Sequence, residues 1–69
     1  MASNEIINEK LGAWLINNSA TRGQLASEIG ITRQTLAERL RGRTKWRFDE
    51  VVQISRITNT SLDELAGVS

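Results

Sequence analysis

The sequence has no cysteine, no histidine and no proline. Without cysteine there is no disulfide to staple the fold and no thiolate to bind metal or attack a substrate. Without histidine the commonest general base and the commonest zinc ligand at neutral pH are both missing. Aromatic side chains are confined to Trp14, Trp46 and Phe48. No stretch approaches the 18 apolar residues of a membrane span, and no basic-then-apolar leader opens the chain. These absences disfavour membrane spans, secreted disulfide scaffolds, zinc modules and most catalysis. What is present is 69 residues at 39% hydrophobic content, enough for one domain (1–69) with a small core and a net stability of about 3–5 kcal/mol. The expectation is a soluble, cytoplasmic, all-α module that binds something, without cofactor, metal or catalytic residues.

The net charge is only +1, but it is unevenly placed. Residues 1–30 sum to −1 and residues 48–69 to −3. Between them, Arg33, Arg39, Arg41, Arg43, Lys45 and Arg47 face Glu38 alone, for +5 over residues 31–47. A basic centre between acidic ends is the electrostatic footprint of a polyanion-binding face; the plainer alternative is a solvated charged loop.

The helical period recurs in short segments between turn signals, with no internal repeat or low-complexity run. Ser3 or Asn4 caps the first segment, and Ile7, Leu11, Trp14 and Leu15 form one apolar stripe, which assigns Trp14 to the core. Gly12 interrupts that stripe at a cost of about 1 kcal/mol against alanine, as if another helix came close. Asn17-Asn18-Ser19 ends the segment. Thr21 and Gln24 have the spacing of a capping box, Leu25, Ala26 and Ile29 face inward, and Gly30 closes the second helix with a left-handed residue. Thr32 caps the third helix, Leu36 and Leu40 are its inward pair, and Gly42 is the next left-handed end. After the basic loop Arg43-Thr44-Lys45-Trp46-Arg47, a fourth helix runs from about Phe48 through Val51, Ile54 and Ile57 to Asn59. Ser61-Leu62-Asp63-Glu64 reads as a second capping box before a short fifth helix with Leu62 and Leu65 inward, and Gly67-Val68-Ser69 as a frayed tail.

Residues 21–42, TRGQLASEIGITRQTLAERLRG, carry the function. Two short helices meet at a glycine turn, and Ala26 is small where they cross. Glycine at the turn supplies positive φ without a Cβ penalty. This spacing describes a helix-turn-helix over about 21–41, whose second helix enters the major groove of DNA.

The chain here resembles the Cro and phage-repressor helix-turn-helix family, the lambda-repressor-like fold, from about residue 7 to residue 66. The matching residues are Thr21-Arg22-Gly23-Gln24-Leu25-Ala26, Gly30-Ile31-Thr32, Gly42 and Ser61-Leu62-Asp63-Glu64-Leu65. The resemblance implies a compact five-helix DNA-binding domain with the motif at helices 2 and 3. Arg22 stands where the family often has a phosphate-contacting glutamine. Arg39 and Leu40 stand where many members have an apolar residue and a glutamate, and the arginine-rich sequel is similar to actinobacterial and phage versions. Thr58 and Thr60 replace the usual Leu and Val, which suggests looser packing at the last helix junction.

Site roles follow from 100° per residue. With Leu36 and Leu40 inward, Gln34, Glu38 and Arg41 point outward, Thr35 and Ala37 flank that face, and Arg33 reaches out from the first turn. Arg33 suits guanine O6/N7 and Gln34 suits adenine N6/N7; Thr35 and Glu38 complete the base-contacting set, with Glu38 either accepting from a cytosine amine or orienting Arg33 or Arg41. The alternative for each is a solvated helix surface. Phosphate contacts are assigned to Thr21, Arg22 and Thr32, with unpaired N–H groups expected at Thr21 and Arg22, and to Arg41, Arg43, Thr44, Lys45, Trp46 and Arg47. Trp46 is equally a lid over the core beside Phe48.

An enzyme is disfavoured, because the pairs Asp49/Glu50 and Asp63/Glu64 read as helix-start carboxylates. The expected function is a sequence-specific DNA-binding transcriptional regulator, a small Cro-like or phage repressor, with operator duplex DNA as partner and the bacterial nucleoid or phage-infected cell as its place. The resemblance and the lack of any sensor or cleavage domain favour that minimal form. The alternative is a helix-turn-helix protein-interaction module, antitoxin-like or anti-repressor, which would call for an apolar surface or a tail that this chain almost lacks. Ile57, Leu62, Leu65 and Val68 are either a weak homodimer surface or ordinary core, and dimerisation on DNA is expected.

Overall fold

The computed structural model describes residues 4–67. Five helices follow one another: α1 (Asn4–Asn17), α2 (Arg22–Ile29), α3 (Arg33–Leu40), α4 (Phe48–Thr58) and α5 (Leu62–Leu65). None of the described helices is long and apolar enough to cross a membrane.

Local chemistry sets most of the ends. Thr21 accepts from the Gln24 N–H at 3.1 Å while its own N–H donates to Gln24 Oε1 at 2.8 Å, so the expected capping box is complete. Gly30, at φ 88°, ends α2. The N–H of Ile31 returns to the Ala26 carbonyl at 2.9 Å and that of Gly30 to Ser27 at 3.2 Å, the paired bonds of a Schellman end. The same pair recurs after α3, where Gly42 has φ 77° and Arg43 returns to Glu38 at 3.0 Å. It recurs after α4 at Asn59 (φ 53°), with Thr60 returning to Ser55 at 3.1 Å. The end of α1 uses the same device without glycine: Ser19 sits at φ 48° and Ala20 returns to Leu15 at 3.0 Å.

One core joins all five helices. Ile7 and Leu11 of α1, Leu25, Ala26 and Ile29 of α2, Leu36 of α3, Val51 and Ile54 of α4, and Leu65 of α5 are buried together. Trp14, Leu15, Leu40 and Ile57 pack around them, half-buried, as the apolar stripes predict. Helix α2 packs on α3 and α4, while α1 lies against α4 and α5. The Asn8 side-chain amide donates to the Leu40 carbonyl at 3.1 Å, so α1 satisfies one of the orphan acceptors at the end of α3.

Several expectations need correction. Ser3 lies outside the described residues, as do Val68 and Ser69 of the expected frayed tail, and Asn4 is already helical. Gly12 is not a close-approach site, since a Cβ there would meet no atom within 4 Å. Phe48 is 76% exposed and Leu62 40% exposed, so neither closes the core. Only half of the second capping box forms as expected. Ser61 accepts from the Glu64 N–H at 3.1 Å, but the Glu64 carboxylate turns to Lys10 Nζ at 2.9 Å and ties α5 to α1. The Thr58–Thr60 junction is held by polar bonds. Thr58 donates to the Ile54 carbonyl at 2.6 Å, Ser55 to the Thr60 carbonyl at 2.6 Å, and the buried Thr60 hydroxyl to the Thr58 carbonyl at 3.2 Å.

Candidate nucleic-acid interface

Helix α3 is anchored on one side and open on the other. Leu36 is fully buried, and its helical opposites follow from rotation: Gln34 and Arg41 are exposed and Glu38 half-buried, with Thr35 and Ala37 half-buried at the flanks. The first turn is fixed by Thr32, whose hydroxyl oxygen accepts from the Thr35 N–H at 3.0 Å and whose proton goes to Thr35 Oγ1 at 2.9 Å. Thr35 therefore keeps its own hydroxyl proton for an outside acceptor. Among the described residues, the side chains of Arg33, Gln34, Glu38 and Arg41 have no hydrogen-bond or ion-pair partner, so Glu38 orients neither arginine.

Arg33 does not project freely from the first turn. Its stem lies along the start of α2, so that a Cβ on Gly23 would come 3.2 Å from Arg33 Cδ. The helix wheel carries the signal for this placement, because residue 33 lies only about 60° around from the inward Leu36 at 100° per residue.

The second helix presents less than expected at Thr21. Its N–H is taken by Gln24 Oε1, and the hydroxyl serves the Gln24 N–H. Gln24 and Leu25 are served by Thr21, which leaves the N–H groups of Arg22 and Gly23 as the open donors of this end. Arg22 itself is exposed.

The basic loop divides into two groups. Arg41, Arg43 and Lys45 are exposed and without side-chain partners among the described residues. Arg39 is withdrawn. Its guanidinium forms a bidentate pair with Glu50 of α4 (Nε–Oε1 2.8 Å, Nη2–Oε2 3.0 Å) and also donates to the Thr44 hydroxyl. The side chains of Arg39 and Glu50 are only 12% and 6% exposed. Glu50 further accepts from the Arg47 N–H at 2.9 Å, at the start of α4. Burial alone would raise the Glu50 carboxyl, but the bonds from Arg39 and the Arg47 N–H outweigh it and hold the group below its usual range. The hydrogen bond to Glu50 correspondingly raises Arg39. One buried ion pair thus closes the loop between α3 and α4, and neither partner was among the expected functional residues. The helix wheel places Arg39, like Arg33, about 60° from the inward Leu36, but nothing in the local sequence distinguishes the one that finds an acid.

Two phosphate assignments change. Trp46 is the lid: it packs against the core, and its indole N–H is enclosed without an acceptor among the described residues, so it is not presented to an outside phosphate. The Thr44 hydroxyl already accepts from Arg39 and has only its proton to offer. Arg47 stays exposed but lies 3.4 Å from Asp49, sharing its charge. At the C-terminal end, among the described residues, Leu65 belongs to the core, Ile57 is half-buried and Leu62 is 40% exposed.

A tight two-helix unit, an open outer face on the second helix and a basic loop behind it define a helix-turn-helix DNA-binding module. The helix-turn-helix family model matches residues 19–65, and the chain belongs to that family, in its Cro and phage-repressor form, a class of DNA-binding regulators. Comparisons with curated proteins and with solved structures each return no match.

Proposed function

We propose that the chain is a sequence-specific transcriptional regulator, a small Cro-like repressor that occupies operator DNA and blocks polymerase. The observation that carries this reading is the outer face of α3, where Gln34 and Arg41 are exposed and unengaged within the described residues, with the exposed, unpaired head group of Arg33 at its edge beside α2. In this reading α3 lies in the major groove. Arg33 reads guanine, Gln34 reads adenine, and Thr35 and Glu38 contact neighbouring base edges. Arg22 and the open N–H groups of α2 hold one strand, and Arg41, Arg43, Lys45 and Arg47 the other, with Thr21, Thr32 and Thr44 in supporting polar contacts. One recognition helix covers half of a usual site, so two copies bind a pseudo-palindrome.

Selection from a random duplex pool tests the reading. The expected product is a defined motif with half-sites about 34 Å, or one helical turn, apart. A pool that stays random under low-salt conditions rejects DNA reading and leaves the protein-interaction alternative in its place.

A further inference from the structure

Gly23 occupies the second position of α2, yet its backbone does not need glycine. Positive φ occurs at Gly30, Gly42 and Gly67, but not at Gly23. Glycine there lowers helix propensity relative to alanine, so its conformational freedom does not explain it. Space does. A Cβ at this position would stand 3.2 Å from Arg33 Cδ, 3.7 Å from Arg33 Cγ and 3.7 Å from Thr21 Oγ1. The first of these is closer than a relaxed carbon–carbon contact of about 3.5–4.0 Å. The aliphatic stem of Arg33 therefore rests on bare backbone, in a notch that any larger residue would fill.

We infer that Gly23 is a positioning residue for Arg33, a seat that fixes the direction in which the guanidinium leaves the helix pair and so helps to set base preference. The inference rests on the major-groove reading proposed above. Arginine carries large rotamer entropy, and a side chain already held in its binding direction loses less of it on association. Guanine recognition by arginine is bidentate and planar, so it is sensitive to the angle of approach. The seat supplies that angle from a different helix, while the head group stays exposed and unpaired among the described residues. A Cβ at residue 23 would push the stem aside by a few tenths of an ångström, and a leucine side chain would displace it altogether.

The test is a double-mutant cycle between Gly23→Leu and Arg33→Ala, with Gly23→Ala as an intermediate. It is read as affinity for the selected site, for variants of that site changed one base pair at a time, and for random duplex. Gly23→Leu is expected to lose about tenfold of discrimination at the single base pair where Arg33→Ala loses it, within the range of one bidentate contact. Gly23→Ala should lose less. Random-duplex affinity is the reference for each protein, because a disturbed phosphate contact at the Gly23 N–H weakens every duplex alike and leaves discrimination untouched, and the thermal midpoint holds or rises with the better helix former. In the Arg33→Ala background, Gly23→Leu adds no further loss. Full discrimination in Gly23→Leu, or a loss that persists without Arg33, overturns the seat alone. A wild-type chain that selects no motif overturns both the seat and the reading on which it rests.

Discussion

Replacing Glu50 with alanine is expected to lower the thermal midpoint by about 12–24 °C. The reason is an uncompensated charge. Glu50 and Arg39 are paired through two bonds at 2.8 and 3.0 Å and are largely removed from solvent. Removing one partner of a buried pair costs about 3–5 kcal/mol, chiefly because the other charge is stranded. Arg39 keeps a little solvent access, so the lower end, about 3 kcal/mol, is the appropriate figure, and a domain of this size shifts by about 4–8 °C per kcal/mol. Since the whole fold is worth about 3–5 kcal/mol, the variant sits close to its unfolding threshold at 25 °C. The double replacement Arg39→Met, Glu50→Leu recovers most of the loss, because an apolar pair of similar volume leaves no stranded charge.

The same pair sets a pH dependence. The Glu50 carboxyl lies below its ordinary value of 4.5 in the folded chain. Its contribution is therefore fully present above that value and is lost as pH falls below it, through the depressed folded pKa. Acid melts of wild type and Glu50→Ala are expected to converge in that window. A midpoint for Glu50→Ala within about 3 °C of wild type at pH 7 would show that the pair does not hold the loop.

The second large effect is on binding. Arg22, Arg33, Arg41, Arg43 and Lys45 are exposed without ion-pair partners among the described residues, while Arg39 is consumed internally and Arg47 is shared with Asp49. Four to six neutralised phosphates at about 0.9 each give a log–log salt slope of about −4 to −5 on duplex DNA. Between 50 and 200 mM salt the affinity should fall by about 300- to 1000-fold. The measurement is a fluorescence titration of labelled duplex across that range. A flat response would reject the loop as a phosphate clamp, however well the helices fold.

What the sequence disclosed about the fold follows from range. The Thr21–Gln24 box, the Thr32 cap, the turn glycines and the Asn59 end are decided by residues three to five apart, and each formed as its local chemistry requires. The inward leucines follow equally from helical spacing. What stayed hidden depends on how helices meet. Arg39 and Glu50 sit on separate helices, and their pairing emerges only when the loop closes. Arg39 then drops out of the basic face, and Glu50 out of the acidic segment that follows it. Phe48 shows the converse limit. Its apolar side chain suggested burial, yet the first turn of α4 directs it outward. At the site, rotation about α3 identified the open face, but Arg33 resting on Gly23 required the packing of α2 against α3. The enclosure of Trp46 required the core itself.

The central claim is that the glutamine-and-arginine side of α3 meets base edges while the loop behind it meets phosphate. Its most direct test is a competition assay on the selected site and its single-base-pair variants, comparing Gln34→Ala and Arg33→Ala with Arg43→Ala. The account predicts that each α3 variant loses about 1–3 kcal/mol of discrimination at one base pair, whereas Arg43→Ala weakens every duplex alike and makes the salt slope shallower by about 0.9. Gln34→Ala and Arg33→Ala proteins that fold normally and keep the full base preference of the wild type would contradict it.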